Sequence, residues 1–323
     1  MGHPSSPRGL IVDLITPLRS NGDIDGRGLG RQLDRVLPHV QALLIAGPHM
    51  GEGQNLGSEQ REELMEKTLV VVRGRVPVLV WISRETEGET RATLSILEKK
   101  AQKRDYGCQI LWVDTPLYYH SNRGLPTLYQ GLLGQTDKAC LLYNDPELIK
   151  GFAHPLKRNN IRTSILKELV QIQDVRGLIF QGPLDRARNY HKVTLSRADF
   201  RLYDGDESHF LNHPSLSGVV SGGANLAPRA WQRITGSSLN LGGDQKAYPD
   251  YLRQIWETGT YLRNMMDIYR VEPIPLIKQV LSDMRTIEEP TTTSENESSR
   301  DDLQRLKEIM TRCGDYLPKE RLA

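Results

Sequence analysis

Short, nearly uninterrupted apolar runs alternate with longer stretches of mixed polarity along most of the chain. Residues 10–15 form the first run and end at Thr16-Pro17; residues 42–46, 76–82, 108–113, 139–142, 175–181, 200–203 and 218–220 supply seven more. Runs without a polar alternate are what a parallel strand covered on both faces needs. The segments between them carry helix signals. Asn21-Gly22 makes a turn and Asp25 caps a helix reaching about residue 38, while Ser58 starts another with Arg61, Glu62 and Glu63 in its first turns. Further helices are expected over residues 86–103, 124–134, 161–172 and 185–192, and 204–206 reads as a loop. Eight strands alternating with helices predict an α/β fold in which a closed TIM (β/α)8 barrel is the economical solution and an open doubly wound sheet the competitor. The first strand-to-helix turn lacks a GxGxxG pattern, which counts against a dinucleotide fold.

The barrel is expected to occupy residues 9–235, after a disordered start at 1–8. A C-terminal helical region, 236–323, carries helices near 244–269, 273–284 and 301–313. Between the last two, residues 288–300 are polar and lack apolar anchors, so a flexible connector is predicted there. The tail as a whole reads as an appendage or oligomer surface.

The 323 residues suffice for one large barrel or two small domains, and 38% apolar with 25% charged residues allows a single core. A net charge of +2 implies no broad attraction to nucleic acid or membrane. Cys108, Cys140 and Cys313 lie far apart, without CxxC spacing, which suits a reducing cytoplasm. No apolar run approaches the ~20 residues of a membrane span.

Several motifs stand at strand ends: Thr16-Pro17 followed by Asn21-Gly22-Asp23-Ile24-Asp25, the glycine-rich turn from Gly47 to Glu52, Thr115-Pro116-Leu117-Tyr118-Tyr119, Tyr143-Asn144-Asp145-Pro146, and Ser221-Gly222-Gly223-Ala224-Asn225 ahead of Pro228. In that order they resemble the TPF…DGxID, GTTGE, TPYY, YNxP and NxxP segments of the dihydrodipicolinate synthase/N-acetylneuraminate lyase family of pyruvate aldolases, over roughly residues 9–285. The resemblance implies a pocket for a small 2-oxo acid or carboxylate, a homo-oligomer (dimer or tetramer), and no cofactor. It implies that Tyr143 passes protons, that Tyr118 matches a tyrosine crossing between subunits, and that substrate meets Gly47, His49, Gly51, Glu52, Ser221, Gly222 and Asn225. The turn carries Pro48, His49 and Met50 where the family has hydroxyl residues, and a frequent substrate-binding arginine falls on Leu148.

One departure matters most. In this family a lysine on the sixth strand attacks the pyruvate ketone, and that position, two after Gly177, is Ile179. Isoleucine has no lone pair and forms no imine. None of the lysines (67, 99, 100, 103, 138, 150, 157, 167, 192, 246, 278, 307 and 319) falls within a predicted strand. Loss of a catalytic nucleophile costs on the order of a million-fold in rate. The expectation is an inactive or repurposed member with a small-carboxylate pocket. An active lyase working without lysine, through a metal or acid/base groups, and a scaffold or regulatory protein remain open alternatives. His49, Glu52, Asp114, Asp145, Asp204 and Asp206 all fall at strand ends where barrel sites form, but no ligand spacing such as HxH picks out a metal site, and loop capping explains the aspartates.

Overall fold

A computed structural model describes residues 6–103, 106–151, 158–214, 217–240, 250–294 and 298–316. Eight strands close into a barrel: β1 (Gly9–Asp13), β2 (Ala42–Ile45), β3 (Val78–Trp81), β4 (Ile110–Asp114), β5 (Cys140–Asn144), β6 (Val175–Phe180), β7 (Arg201–Asp204) and β8 (Gly218–Ser221). Every pair is parallel, and β8 returns to β1. The open-sheet alternative is thereby ruled out.

Side chains alternate between the two faces of each strand. One set, including Ile11, Leu44, Leu79, Trp81, Leu111, Leu141, Tyr143, Ile179 and Tyr203, fills the barrel interior. The other, including Leu10, Val12, Leu43, Val78, Val80, Leu142 and Leu178, packs beneath the surrounding helices. Burial on both faces explains why these strands read as unbroken apolar runs. β6 carries an irregularity: the register shifts between Cys140 and Leu141, leaving Arg176 as the extra residue, and its guanidinium reaches Asp199 at 2.5 Å. Gly177 is required beside it, because a Cβ there would meet the Arg201 carbonyl oxygen at 2.6 Å.

The Asp25 cap is present, its side chain accepting from Gly28 N–H at 2.8 Å. The helix expected at Ser58 begins there, capped by Gly57, whose N–H donates to the Gln60 side chain. Three short elements were not anticipated. Pro116–Tyr119 and Pro146–Lys150 are single helical turns with proline at their starts, and Glu207–Asn212 is a helix in the segment between β7 and β8, capped by Asp206. Pro228–Ser238 follows β8 and completes the ring.

Three helices end the described chain: Asp250–Tyr269, Pro273–Asp283 and Arg300–Cys313. The stretch 244–249 of the expected helix lies outside the described residues. Residues 1–5 are likewise outside the description, but 6–8 are fastened to the barrel: Ser6 is buried, the Tyr203 hydroxyl donates to the Pro7 carbonyl, and Arg8 donates to the Leu239 carbonyl at 3.1 Å. In the expected flexible connector, 288–294 is held by polar contacts instead of apolar ones. Glu288 N–H donates to Asp25, Asn55 donates to Thr293 Oγ1, and Thr293 N–H donates to Glu52 at 2.6 Å.

Candidate active site at the barrel mouth

A cavity of about 610 Å³ opens at the C-terminal ends of the strands, within the range of small-ligand sites. Asp13, Tyr143 and Val220 line it from the strands; His49 and Met50 from the β2 turn; Gln181 and Asp206 from the loops after β6 and β7, and Glu207 from the start of the helix that follows β7. The C-terminal helices roof it with Met266, Tyr269, Arg270 and Ile274. The tail is therefore part of the site, not only an appendage.

The β2 turn is built by close backbone approach. Ala46 and Glu52 both sit in the left-handed region, with φ of 50° and 52°. Cβ atoms at Gly51 and Gly53 would come within 2.2 Å of Gly47 N and 1.8 Å of the Ala46 carbonyl oxygen. At Gly47 a Cβ would lie 2.3 Å from Asp13 Oδ1, so that glycine makes room for the Asp13 carboxyl. Thr16 Oγ1 donates to the Gly51 carbonyl at 2.7 Å and fixes the turn to the end of β1. The result presents His49 and the Met50 N–H to the cavity.

His49 Nε2 lies 2.7 Å from Asp145 Oδ2, whose other oxygen caps the helix Pro146–Lys150. Burial opposes charge on His49, but the hydrogen bond and charge of Asp145, with Asp13 adding, outweigh it and raise the imidazole pKa above its ordinary value. Burial pushes Asp13 the other way chemically, toward its neutral form, with a pKa of about 6 that His49 and the Met50 N–H hold from going higher. Asp13 Oδ2 accepts from Met50 N–H at 3.2 Å, while Oδ1 has no partner. The Tyr143 hydroxyl donates to Gln181 Oε1 at 3.2 Å; burial, then Asp145 and Asp13, push its pKa well above the usual phenol value. Glu207 accepts from Ser221 Oγ at 2.5 Å, Gly223 N–H at 2.7 Å and Tyr269 O–H at 2.5 Å, yet burial still raises its pKa.

Of the residues singled out from sequence, Tyr143, His49, Gly222 and Asp206 line the cavity, with Pro48 and Met50 beside His49 in the turn. The others stand elsewhere. Glu52 keeps its buried carboxylate paired with Lys278 and accepting from Thr293 N–H, and so ties the turn to the tail. Tyr118 is 5% exposed and packs edge-on against Trp81, outside the cavity lining. Gly47 and Gly51 shape the turn. Ser221 supports Glu207. Asn225 is a buried clamp, donating to the Asp13 and Gly222 carbonyls at 2.7 and 2.8 Å and accepting from Ile15 N–H. Among the strand-end aspartates, Asp114 accepts from Ser83, Tyr119 and Tyr129, and Asp145 and Asp206 cap helices. Among the described residues, no three His, Cys, Asp or Glu side chains are grouped to hold a metal.

Asp13, Gln181, Glu207 and Tyr269 were not anticipated. Asp13 alone had a visible signal, a single acid inside the apolar run 10–15. No lysine of the described residues lines the cavity; Lys157, Lys246 and Lys319 lie outside the description. Lys278 is fully buried, engaged by Glu52 and by the Thr291 carbonyl at 2.7 Å. Ile179 is fully buried in the interior between Tyr143 on β5 and Tyr203 on β7, its register partners.

The sequence matches the model of the Dihydrodipicolinate synthetase family over residues 6–307. The chain belongs to this family. Dihydrodipicolinate synthetase relatives include the 4-hydroxy-tetrahydrodipicolinate synthases of Thermotoga neapolitana, 29% identical over 95% of this chain and 99% of that one, and of Thermotoga petrophila, 30% identical over 69% and 72%. Among solved structures, a monomeric dihydrodipicolinate synthase variant superposes with a TM-score of 0.79 at 25% identity, covering 96% of this chain and 97% of the other. A prophage protein of the family from E. coli K12, solved in complex with pyruvate, gives 0.77 at 18% identity over 95% and 98%, a likeness of fold. The resemblance drawn from the strand-end motifs is thus to the right family.

Proposed function

We propose that this member of the dihydrodipicolinate synthetase family binds a small carboxylate at the barrel mouth and forms no Schiff base with pyruvate, having lost or exchanged the aldolase reaction. The observation that carries this reading is Ile179, buried beside Tyr143 where the sequence motif places the family's lysine. A hydrocarbon side chain offers no electron pair to a ketone, and no described lysine lines the same cavity. The Tyr143 proton is committed to Gln181 and its phenol is held neutral, so Tyr143 acts as a fixed hydrogen-bonding wall. Arg270, the Gln181 side chain and the backbone at Gly222 are positioned to receive a carboxylate. Assembly as a dimer or tetramer accompanies this reading. Incubating the protein with pyruvate and borohydride, then weighing it intact, tests the proposal: the mass stays unchanged, and a reduced adduct on any lysine refutes it.

A second reading is favoured by one contact. His49 held by Asp145 at 2.7 Å is a base with its orienting partner, which is the minimum for acid/base chemistry without lysine. Under this reading the protein turns over a 2-oxo acid, and His49→Gln abolishes that turnover.

A further inference from the structure

We propose that the small carboxylate bound at the barrel mouth also carries an ammonium group, so that the cavity selects an α-amino acid over the corresponding 2-oxo acid, with Asp13 as the residue that distinguishes them. The inference rests on the small-carboxylate reading of the site.

Asp13 is 5% exposed and lines the cavity. A carboxylate has room for about four hydrogen bonds. Asp13 is reached by the backbone N–H groups of Met50, at 3.2 Å from Oδ2, and of Gly51, and Oδ1 has no partner. Several of the neighbouring protein donors are already committed. Tyr143 donates to Gln181, Tyr269 and Ser221 donate to Glu207, and His49 Nε2 faces Asp145. A buried acceptor left short in this way is completed by a donor on the ligand.

Charge points the same way. Asp13, Asp206 and Glu207 stand on the walls, against His49, already shared with Asp145, and Arg270, which lies 3.6 Å from Asp267. A 2-oxo acid brings a negative charge and a ketone that only accepts, so its oxygen meets the acceptor face of Asp13. An α-amino acid brings three N–H donors to Asp13 and keeps its carboxylate for the Arg270 side, with no net charge added. The groups facing the Asp13 carboxyl are His49 and the Met50 and Gly51 N–H groups from the β2 turn, Glu207 from the helix after β7, and Tyr143 from β5. Burial holds Asp13 partly protonated near pH 6, so capture of an ammonium there expels a proton.

The test is isothermal titration at pH 7.5 of three matched pairs: alanine with pyruvate, valine with 2-oxoisovalerate, and glutamate with 2-oxoglutarate. The amino acid of at least one pair is expected to bind about tenfold or more tightly than its oxo partner. In Asp13→Asn, whose amide can donate to a ketone, that preference shrinks below about threefold. Oxo acids binding as well as their amino partners in every pair, or a preference that survives in Asp13→Asn, overturns this inference alone. If no member of any pair binds, the small-carboxylate reading falls with it. A second measurement needs no variant. Wild-type titrations at pH 6 in buffers of different ionisation heat are expected to show proton release on amino-acid binding, and buffer-independent heats overturn the assignment to Asp13.

Discussion

Ile179 on β6 stands directly across the ladder from Tyr143 on β5, and the two close the barrel interior beneath the cavity. An aliphatic side chain there completes an apolar layer with Tyr203, Leu141 and Val220. Restoring an amine should therefore exchange stability for reactivity. Ile179→Lys is expected to lower stability by roughly 2–4 kcal/mol, because the ammonium gains no carboxylate partner in that layer. The same variant is expected to acquire a borohydride-trapped pyruvate adduct that the wild type lacks. Thermal unfolding and intact mass check the two halves, and a stable variant without an adduct would show that position 179 does not correspond to the family's lysine position.

The Glu52–Lys278 pair joins the β2 turn to the helix Pro273–Asp283 with both side chains buried. Removing one partner leaves the other charge alone in the interior, so Lys278→Met should cost about 3–5 kcal/mol in urea unfolding. Glu52→Gln with Lys278→Met keeps an acceptor for Thr293 N–H and removes both charges; it should recover more than half of that loss. A double variant no better than the single one contradicts the ion-pair account.

The barrel was legible because covered parallel strands need apolar side chains on both faces, and β1 to β6 state that plainly in the sequence. The helix Glu207–Asn212 was not, since Phe210 is its single buried side chain and its signal is the Asp206 cap. The site was less legible. Tyr143 and His49 sit in local motifs, whereas Glu207 and Tyr269 meet across 62 residues of sequence and carry no pattern that joins them. Glu52 stands in the turn like a ligand residue, but its carboxylate is taken by Lys278 and the 291–293 segment, contacts that only the folded tail supplies.

Gly47 and Asp13 are sterically coupled, since a Cβ at 47 would lie 2.3 Å from Asp13 Oδ1. Gly47→Ala should force the carboxyl out of its place, at about 1–3 kcal/mol of stability, with loss of ligand affinity. Pairing it with Asp13→Ala removes the clash, so the two stability losses should fail to add by about 1 kcal/mol or more. Additive losses in chemical denaturation contradict the coupling.

Asp13 also sets a pH dependence. Its pKa rises from 3.8 to about 6 on folding, so the folded state holds its proton more tightly than the unfolded chain does. Below pH 3.8 the carboxyl is neutral in both states and carries no penalty. As pH climbs from there through 6, the unfolded chain ionises first, and stability is progressively lost. Two pH units correspond to roughly 3 kcal/mol, complete above pH 6. Asn at this position still accepts from Met50 N–H through its carbonyl and never ionises. Asp13→Asn should therefore be more stable than the wild type by up to about 3 kcal/mol at pH 8, and the two should converge near pH 4. His49 and Glu207 face the same carboxyl and are coupled to it, so the difference between the two curves reports Asp13 together with that coupling. Urea denaturation from pH 4 to 8 checks this, and parallel curves for the two proteins would contradict the buried, proton-holding Asp13 on which the ligand inference also draws.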